Sequence, residues 1–176
     1  MASRVGDATG TPWREAAAAP DWDAVFRDQF PRVYNFLRYR VRNEAVAEDL
    51  TARTFEKAWL QRHSYRSDVA AFSTWLLRIA RNAAIDYLRT SHEHLPLEEA
   101  SEAPAEGTPE GDAEVQSNFA RLAELIERLP EREQELLALK YGAGATNRAI
   151  AGLVGLSETN VGTILHRAVQ TLRSQW

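Results

Sequence analysis

Residues 146–173 read TNRAIAGLVGLSETNVGTILHRAVQTLR, and the pattern of this segment predicts how the C-terminal part of the chain folds. Gly155 can adopt the positive φ of a sharp corner, and Ala151 offers a small side chain where a second helix crosses the first. Thr146 and Ser157 are residue types that cap helix N termini. The spacing predicts a helix-turn-helix, a motif whose second helix enters the major groove of DNA.

The second helix of this motif has one apolar side and one short, polar side. Val161, Leu165, Ala168 and Leu172 point inward at helical spacing. Threonine and asparagine side chains can bond base edges or phosphates. The candidate DNA-contacting residues are Ser157, Glu158, Thr159, Asn160, Thr163, His166 and Arg167. A helical bundle whose exposed face is merely soluble remains the alternative, because residues 136–176 carry only four basic side chains against one acid.

An acidic segment divides the chain. Residues 95–114 hold seven acidic and no basic side chains, three prolines and two glycines, whereas the whole chain has a formal charge of −4. Such a composition cannot bury enough apolar surface to offset the entropy of folding. It predicts a flexible acidic linker between residues 21–94 and 115–176, and residues 1–20 are expected to form a flexible tail.

Both flanking blocks show helical periodicity and no convincing strand alternation, which predicts an all-α fold of two small helical domains, an N-terminal bundle and the C-terminal helix-turn-helix. Pro31 predicts a break or kink in the first helix. Arg78, Asn82, Ile85 and Arg89 recur along one face of a later helix, where they would be exposed. In the C-terminal block, Pro130 is expected to begin a helix that runs through Tyr141.

Taken together, the two blocks resemble the bacterial RNA polymerase sigma factors, specifically the small extracytoplasmic-function (ECF) group of the sigma-70 family. The motifs that carry the resemblance are AEDLTARTFEKAW at 47–59, FSTWLLRIARNAAIDYLR at 72–89, and the segment from Leu129 to Arg173. The resemblance implies that residues 21–94 are region 2, for polymerase docking and minus-ten recognition and melting. It implies that residues 115–176 are region 4, which reads the minus-thirty-five element.

The resemblance also implies a surface for core RNA polymerase. Asp49, with Arg53 and Glu56, falls in the motif that grips the clamp helices of the β′ subunit, while region 4 would meet the β flap. An ion pair between Asp49 and Arg53, four residues apart on one helix, is the plainer interpretation of those two residues. The family usually has a Gln-Glu pair where this chain has Ala52 and Arg53, which changes the local charge.

For promoter opening, the family uses a loop that holds a flipped base, followed by a helix that contacts the minus-ten element. The matching loop here is HSYRSDVAA at 63–71, and base–aromatic stacking contributes about 1–3 kcal/mol per base. Phe72 and Trp75 are expected to belong to the core rather than to stack on bases. The implied minus-ten contacts are Tyr65, Arg66, Arg78, Arg81, Asn82 and Arg89.

Two roles remain open for the linker, and one further partner is implied. The acidic segment can imitate RNA in the basic polymerase cleft, or it can serve as an inert tether. An anti-sigma protein that covers the polymerase-binding surfaces is the further partner that the family implies.

The composition excludes several other functions. The chain has no cysteine, which excludes disulfides and thiolate zinc sites and suits a cytoplasmic location. It has no apolar run near the roughly 20 residues that cross a bilayer, so no membrane insertion is expected. His92-Glu93-His94 cannot present both imidazoles on one helix face, and no metal or other cofactor is expected.

No catalytic motif is present, so the chain is not expected to be an enzyme. Besides a sigma factor, two hypotheses remain. One is a stand-alone helix-turn-helix transcriptional regulator. The other is a protein-interaction adaptor, which the weak basicity of the C-terminal block suggests.

Overall fold

A computed structural model describes residues 21–94 and 112–176 of the chain. All regular structure in these two ranges is helical, which confirms the predicted all-α fold. A 3-10 turn covers Arg62–Ser64, and a π-helical segment covers Ala138–Gly142. The α-helices are α1 (Trp22–Val41), α2 (Glu44–Leu60), α3 (Phe72–His94), α4 (Asp112–Glu127), α5 (Glu131–Leu137), α6 (Asn147–Val154) and α7 (Glu158–Gln175).

The first domain packs α1, α2 and α3 around a small apolar core. Phe36 and Leu37 of α1 and Leu76 of α3 are completely buried, and each such side chain contributes roughly 1.5–3 kcal/mol when it leaves water. Asp21 caps α1 by accepting hydrogen bonds from the backbone N–H groups of Asp23 and Ala24.

The expected break at Pro31 is absent, because α1 is continuous from Trp22 to Val41 with Pro31 inside it. Proline removes one backbone hydrogen bond from a helix. Apolar packing on both sides of Pro31 compensates: the Phe30 ring stacks beside Phe55 of α2, and Val33 is buried in the core. Tertiary contacts therefore keep the helix intact through the proline.

The second domain packs α4–α7 around Leu136, Leu139, Ile150 and Val161, all fully buried. The predicted helix through Tyr141 is present but changes type, because α5 ends at Leu137 and the backbone continues as the π-helical segment to Gly142. Pro130 lies at the N-cap of α5 rather than at its first helical position. Leu139 and Gly142 are both buried within this segment.

The start of α4 lies at Asp112, three residues inside the predicted linker. Acidic residues are favourable near a helix N terminus, so the end of the acidic segment can extend the helix. Residues 95–111 and the N-terminal residues 1–20 lie outside the described part of the chain.

The two domains contact each other directly, through α1 and the π-helical segment. Gly142 lies at the closest approach. A Cβ atom added there would stand 2.8 Å from Cδ2 of Tyr39 and 3.1 Å from the carbonyl oxygen of Asn35. The core side chains of both domains form one contiguous apolar cluster. This contact was not expected from the sequence.

Candidate nucleic-acid interface

The helix-turn-helix forms as the sequence predicts. Gly155 adopts φ +71°, in the left-handed region that glycine enters without strain, and its N–H donates to the carbonyl of Ala151 at 2.9 Å. Thr146 caps α6 by accepting from the N–H of Ala149, and Ser157 caps α7 by accepting from the N–H of Asn160, both at 3.1 Å. The turn and both caps therefore fix the orientation of α7 relative to α6.

The outward side of α7 carries the predicted minus-thirty-five residues on an open surface. The Thr163 hydroxyl donates to the carbonyl of Thr159, and the Glu158 carboxylate lies 3.5 Å from the Arg148 guanidinium. The Ser157 hydroxyl is engaged in the cap, so this residue positions the helix rather than standing free for DNA. The exposed residues of this face are Glu158, Thr159, Asn160, Thr163, His166 and Arg167.

A shallow groove of about 270 Å³ lies between α7 and the π-helical segment. Lys140, His166 and Arg173 line it, and Lys140 Nζ donates to Oδ1 of Asn147 at 2.9 Å. Lys140 and Arg173 place two positive charges beside the recognition helix, and basic side chains of this kind bind a phosphate backbone. Lys140 and Arg173 therefore join the candidate DNA contacts.

In the first domain, α3 presents the predicted exposed face. Arg78, Asn82, Ile85 and Arg89 are all exposed, and Arg89 pairs with Asp86 at 3.4 Å. A polar and cationic stripe along one helix can hold a nucleic-acid backbone. The sequence pattern correctly identified this face.

In the loop at 63–71, Tyr65 is held by contacts with the protein itself. The Tyr65 hydroxyl donates to the carbonyl of Ala70 at 3.2 Å, and its ring packs edge-on against Phe72 and beside Trp75. Phe72 and Trp75 are half-buried and pack against the core, as expected. Tyr65 is therefore half-buried at the edge of this cluster.

Arg66 in the same loop is paired locally with Asp68. Its guanidinium donates two hydrogen bonds to this carboxylate, at 3.2 and 2.7 Å. These bonds hold the pKa of Asp68 below its usual value, so the carboxylate stays charged. An approaching phosphate would have to compete with Asp68 for the Arg66 guanidinium.

Arg81 has a different partner from the one that the sequence suggested. Its Nε donates to Oε1 of Glu135 in the second domain at 2.8 Å, and only 20% of its side chain is exposed. Arg81 is therefore occupied in this arrangement, unlike its neighbours Arg78 and Asn82.

The candidate polymerase-docking face lies on α2. Asp49, Arg53 and Glu56 are exposed, and Arg53 Nε lies 2.9 Å from Oδ2 of Asp49. The intrahelical ion pair is thus present, and it leaves both side chains accessible. Trp59 on the same helix is 47% exposed, and the Arg62 guanidinium lies over its ring.

Other kinds of site receive no support from the geometry. Within residues 21–94 and 112–176, no three histidine, cysteine or acidic side chains come together to hold a metal ion. The side chains of His92 and His94 lie outside the described part. None of the described helices is long and apolar enough to cross a bilayer.

Two family models match the chain in the expected order. Sigma-70 region 2 matches residues 25–93, and Sigma-70 region 4 matches residues 119–172. The boundary between the two matches coincides with the acidic segment.

Curated relatives are similar to this chain over most of its length. The RNA polymerase sigma factor CarQ of Myxococcus xanthus is 31% identical over 86% of this chain and 87% of its own length. The ECF sigma factor BldN of Streptomyces coelicolor is 32% identical over 90% of this chain. The chain spans 62% of the length of BldN and 35% of that of RfaY of Xanthomonas campestris, another similar protein.

Solved structures show the same fold. The sigma factor RpoE of Bartonella quintana, crystallised with the anti-sigma factor NepR, superposes with a TM-score of 0.70 at 19% identity. That match covers 88% of this chain and 95% of RpoE. CnrH, solved with the cytosolic domain of CnrY, gives a TM-score of 0.66 at 20% identity, over 88% of this chain and 86% of CnrH.

Proposed function

Because this chain belongs to the extracytoplasmic-function sigma factors of the sigma-70 family, we propose that it directs core RNA polymerase to specific promoters and initiates transcription there. The single observation that carries this proposal is the ordered pair of family regions, each folded with its candidate contact face exposed. In this function the chain performs no catalytic step of its own and acts in the cytoplasm.

The proposed division of labour follows the two domains. Region 2 would dock on the β′ clamp helices through Asp49, Arg53 and Glu56 of α2. It would contact the minus-ten element through Arg78, Asn82 and Arg89 of α3, with Tyr65 and Arg66 beside the flipped base. Region 4 would meet the β flap and place the outward side of α7 in the major groove of the minus-thirty-five element.

The charge distribution explains why polymerase is needed. Each neutralised phosphate contributes about −0.9 to the slope of log affinity against log salt, so a few cations give weak binding at physiological salt. The second domain offers only a few exposed cations near α7, among them Arg148, Arg167 and Arg173. A large assembly that holds both domains on one promoter would turn two weak contacts into a tight one.

An anti-sigma protein is the further partner that we propose. Its binding would cover the docking face of α2. Neither a stand-alone regulator nor a protein-interaction adaptor gains support from the relatives.

Run-off transcription tests the proposal. Purified full-length chain is added to core polymerase on the DNA upstream of its own gene, and a transcript of one defined length is expected. A matched reaction with the Asp49→Lys variant controls for residual polymerase activity and is expected to give no such transcript. Failure of the unaltered chain to associate stably with core polymerase would refute the proposed function.

A further inference from the structure

The exposed face of α3 carries an apolar side chain, that of Ile85, between polar ones. Ile85 is 37% exposed and does not belong to the apolar core. Arg78 and Asn82 precede it and Arg89 follows it at helical spacing, so the four residues share one face. The minus-ten contacts proposed above use the three polar residues and give Ile85 no role.

Ile85 lies near the centre of this face rather than at its edge. An α-helix turns by about 100° per residue, so Ile85 stands about 20° from Arg78 and about 180° from Leu76 around the helix axis. Leu76 and Ala80 are completely buried. The core therefore lies on the opposite side of α3, and core packing does not account for an apolar residue at position 85.

The neighbours of Ile85 distinguish it from an ordinary exposed apolar residue, which is common on protein surfaces. Arg78 and Arg89 flank it along α3, at about 10 Å and 6 Å from it along the helix axis. Arg89 lies 3.4 Å from Asp86, but both side chains are exposed, so this pair competes only weakly with a phosphate. The two arginines can thus hold a DNA backbone on either side of Ile85.

Asn82 lies one helical turn before Ile85, about 4.5 Å away along the axis. An asparagine amide can bond the edge of a base. Successive bases of a strand are about 3.4 Å apart, which is close to the distance between these two residues. A base next to the one that Asn82 contacts would therefore lie against Ile85.

The chemistry of the isoleucine side chain selects what it can recognise on that base. It has no hydrogen-bond donor or acceptor, and the C5-methyl group of thymine is the apolar group that base edges offer to such a side chain. We propose that Ile85 is a specificity-determining residue of region 2, which contacts the C5-methyl group of a thymine beside the base that Asn82 contacts in the minus-ten element. This contact rests on the proposed function and names the base edge that α3 would recognise.

Selection of promoters gives the first test. The full-length chain with core polymerase is mixed with promoter DNA in which the minus-ten element is randomised, and the retained sequences are determined. A constant thymine is expected on one strand of the selected element. Selected elements without a constant thymine would overturn the proposal.

Deoxyuridine tests the methyl group itself, because it differs from thymidine only by lacking that group. Each constant thymine of the selected promoter is replaced in turn by deoxyuridine, and affinity for the complex of the chain with core polymerase is measured by competition. At one position the affinity is expected to fall about fourfold, the factor that burial of one such carbon group gives. Tolerance of uracil at every position would overturn the proposal.

Variants of Ile85 identify the partner of that methyl group. Ile85→Ala is expected to bind the thymine and uracil promoters equally, whereas Ile85→Val keeps a branched apolar side chain and should retain a ratio of at least about twofold. An apolar side chain can also act as a wedge between unstacked bases. In that case Ile85→Ala would weaken both promoters by the same factor and leave the fourfold ratio unchanged, which would overturn the methyl contact.

Arg78→Gln is the matched control on the same face of α3. Loss of one phosphate contact is expected to weaken both promoters equally and to reduce the slope of log affinity against log salt by about 0.9. The fourfold ratio between thymine and uracil should remain. Loss of this ratio in Arg78→Gln as well would overturn the assignment to Ile85. Thermal unfolding checks that all variants keep the fold, as expected for exposed positions.

The same experiments separate this contact from the proposed function. If the chain forms no complex with core polymerase, the proposed function is refuted, and the thymine contact with it. If the complex selects a promoter but binds its uracil forms with unchanged affinity, the proposed function stands and only the contact of Ile85 with thymine is overturned.

Discussion

Replacement of Ser157 by alanine is expected to lower both the thermal stability of the protein and the affinity of α7 for promoter DNA. The Ser157 hydroxyl accepts a hydrogen bond from the N–H of Asn160 at 3.1 Å and fixes the first turn of α7. Loss of such a cap costs about 1 kcal/mol. In a fold of this size, that loss lowers Tm by about 2–4 °C.

The same loss should appear in promoter binding, because Thr159 and Asn160 lie within this first turn. A frayed turn must be ordered again when it enters the groove. If DNA binding has to supply that 1 kcal/mol, affinity for the minus-thirty-five element falls about fivefold. The measurement is run-off transcription against promoter concentration, with thermal unfolding followed in parallel.

Thr146→Ala is the matched control for this prediction. Thr146 makes the same type of cap on α6, also at 3.1 Å, and its loss should lower Tm similarly. It should leave promoter affinity unchanged, because the candidate base contacts lie on α7. Equal losses of affinity in Ser157→Ala and Thr146→Ala would refute the assignment of α7 as the reading helix. Ser157→Asn retains a cap and is expected to preserve both quantities.

Three further predictions concern the domain contact, the docking face and base recognition. Gly142→Ala should lower the free energy of unfolding by about 1–3 kcal/mol, because the added Cβ meets the Tyr39 ring and the Asn35 carbonyl. The control Gly152→Ala has open space around it and should raise the free energy of unfolding by up to about 1 kcal/mol. Chemical denaturation measures both changes. Asp49→Asn should weaken binding to core polymerase in a titration while Tm stays within about 1 °C, since the exposed pair with Arg53 contributes little; a parallel loss of Tm would contradict a docking role. Asn160→Ala should lower discrimination at one minus-thirty-five base pair by about 1–3 kcal/mol across promoters with single substitutions, and an equal loss on every promoter would argue against base contact.

The sequence predicts the local structure well wherever one residue type has a direct backbone consequence. Gly155 at the corner, with Thr146 and Ser157 as caps, defines the helix-turn-helix without tertiary information. The exposed face of α3 follows from helical spacing alone. The sequence carries no local signal for the π-helical segment, which lies where Gly142 approaches Tyr39 and Asn35 of α1.

The contact between the domains was missed for a similar reason. Arg81 was assigned to DNA through the family resemblance, and its pairing with Glu135 joins residues 54 positions apart, which no local pattern reveals. One signal was available. Arg40 follows Val33, Phe36 and Leu37 at helical spacing on the buried side of α1, where an arginine needs a partner. The helical spacing therefore identifies the buried position of Arg40, but it does not identify the acidic residue that pairs with Arg40.

The dependence of promoter recognition on core polymerase is tested by comparing DNA binding by the free chain with DNA binding by its complex with core polymerase. Footprinting on one promoter duplex at physiological salt is the measurement. We predict protection of both the minus-ten and minus-thirty-five elements by the complex, and no sequence-specific protection by the free chain at the same concentration. Tight, sequence-specific protection by the free chain alone would contradict it.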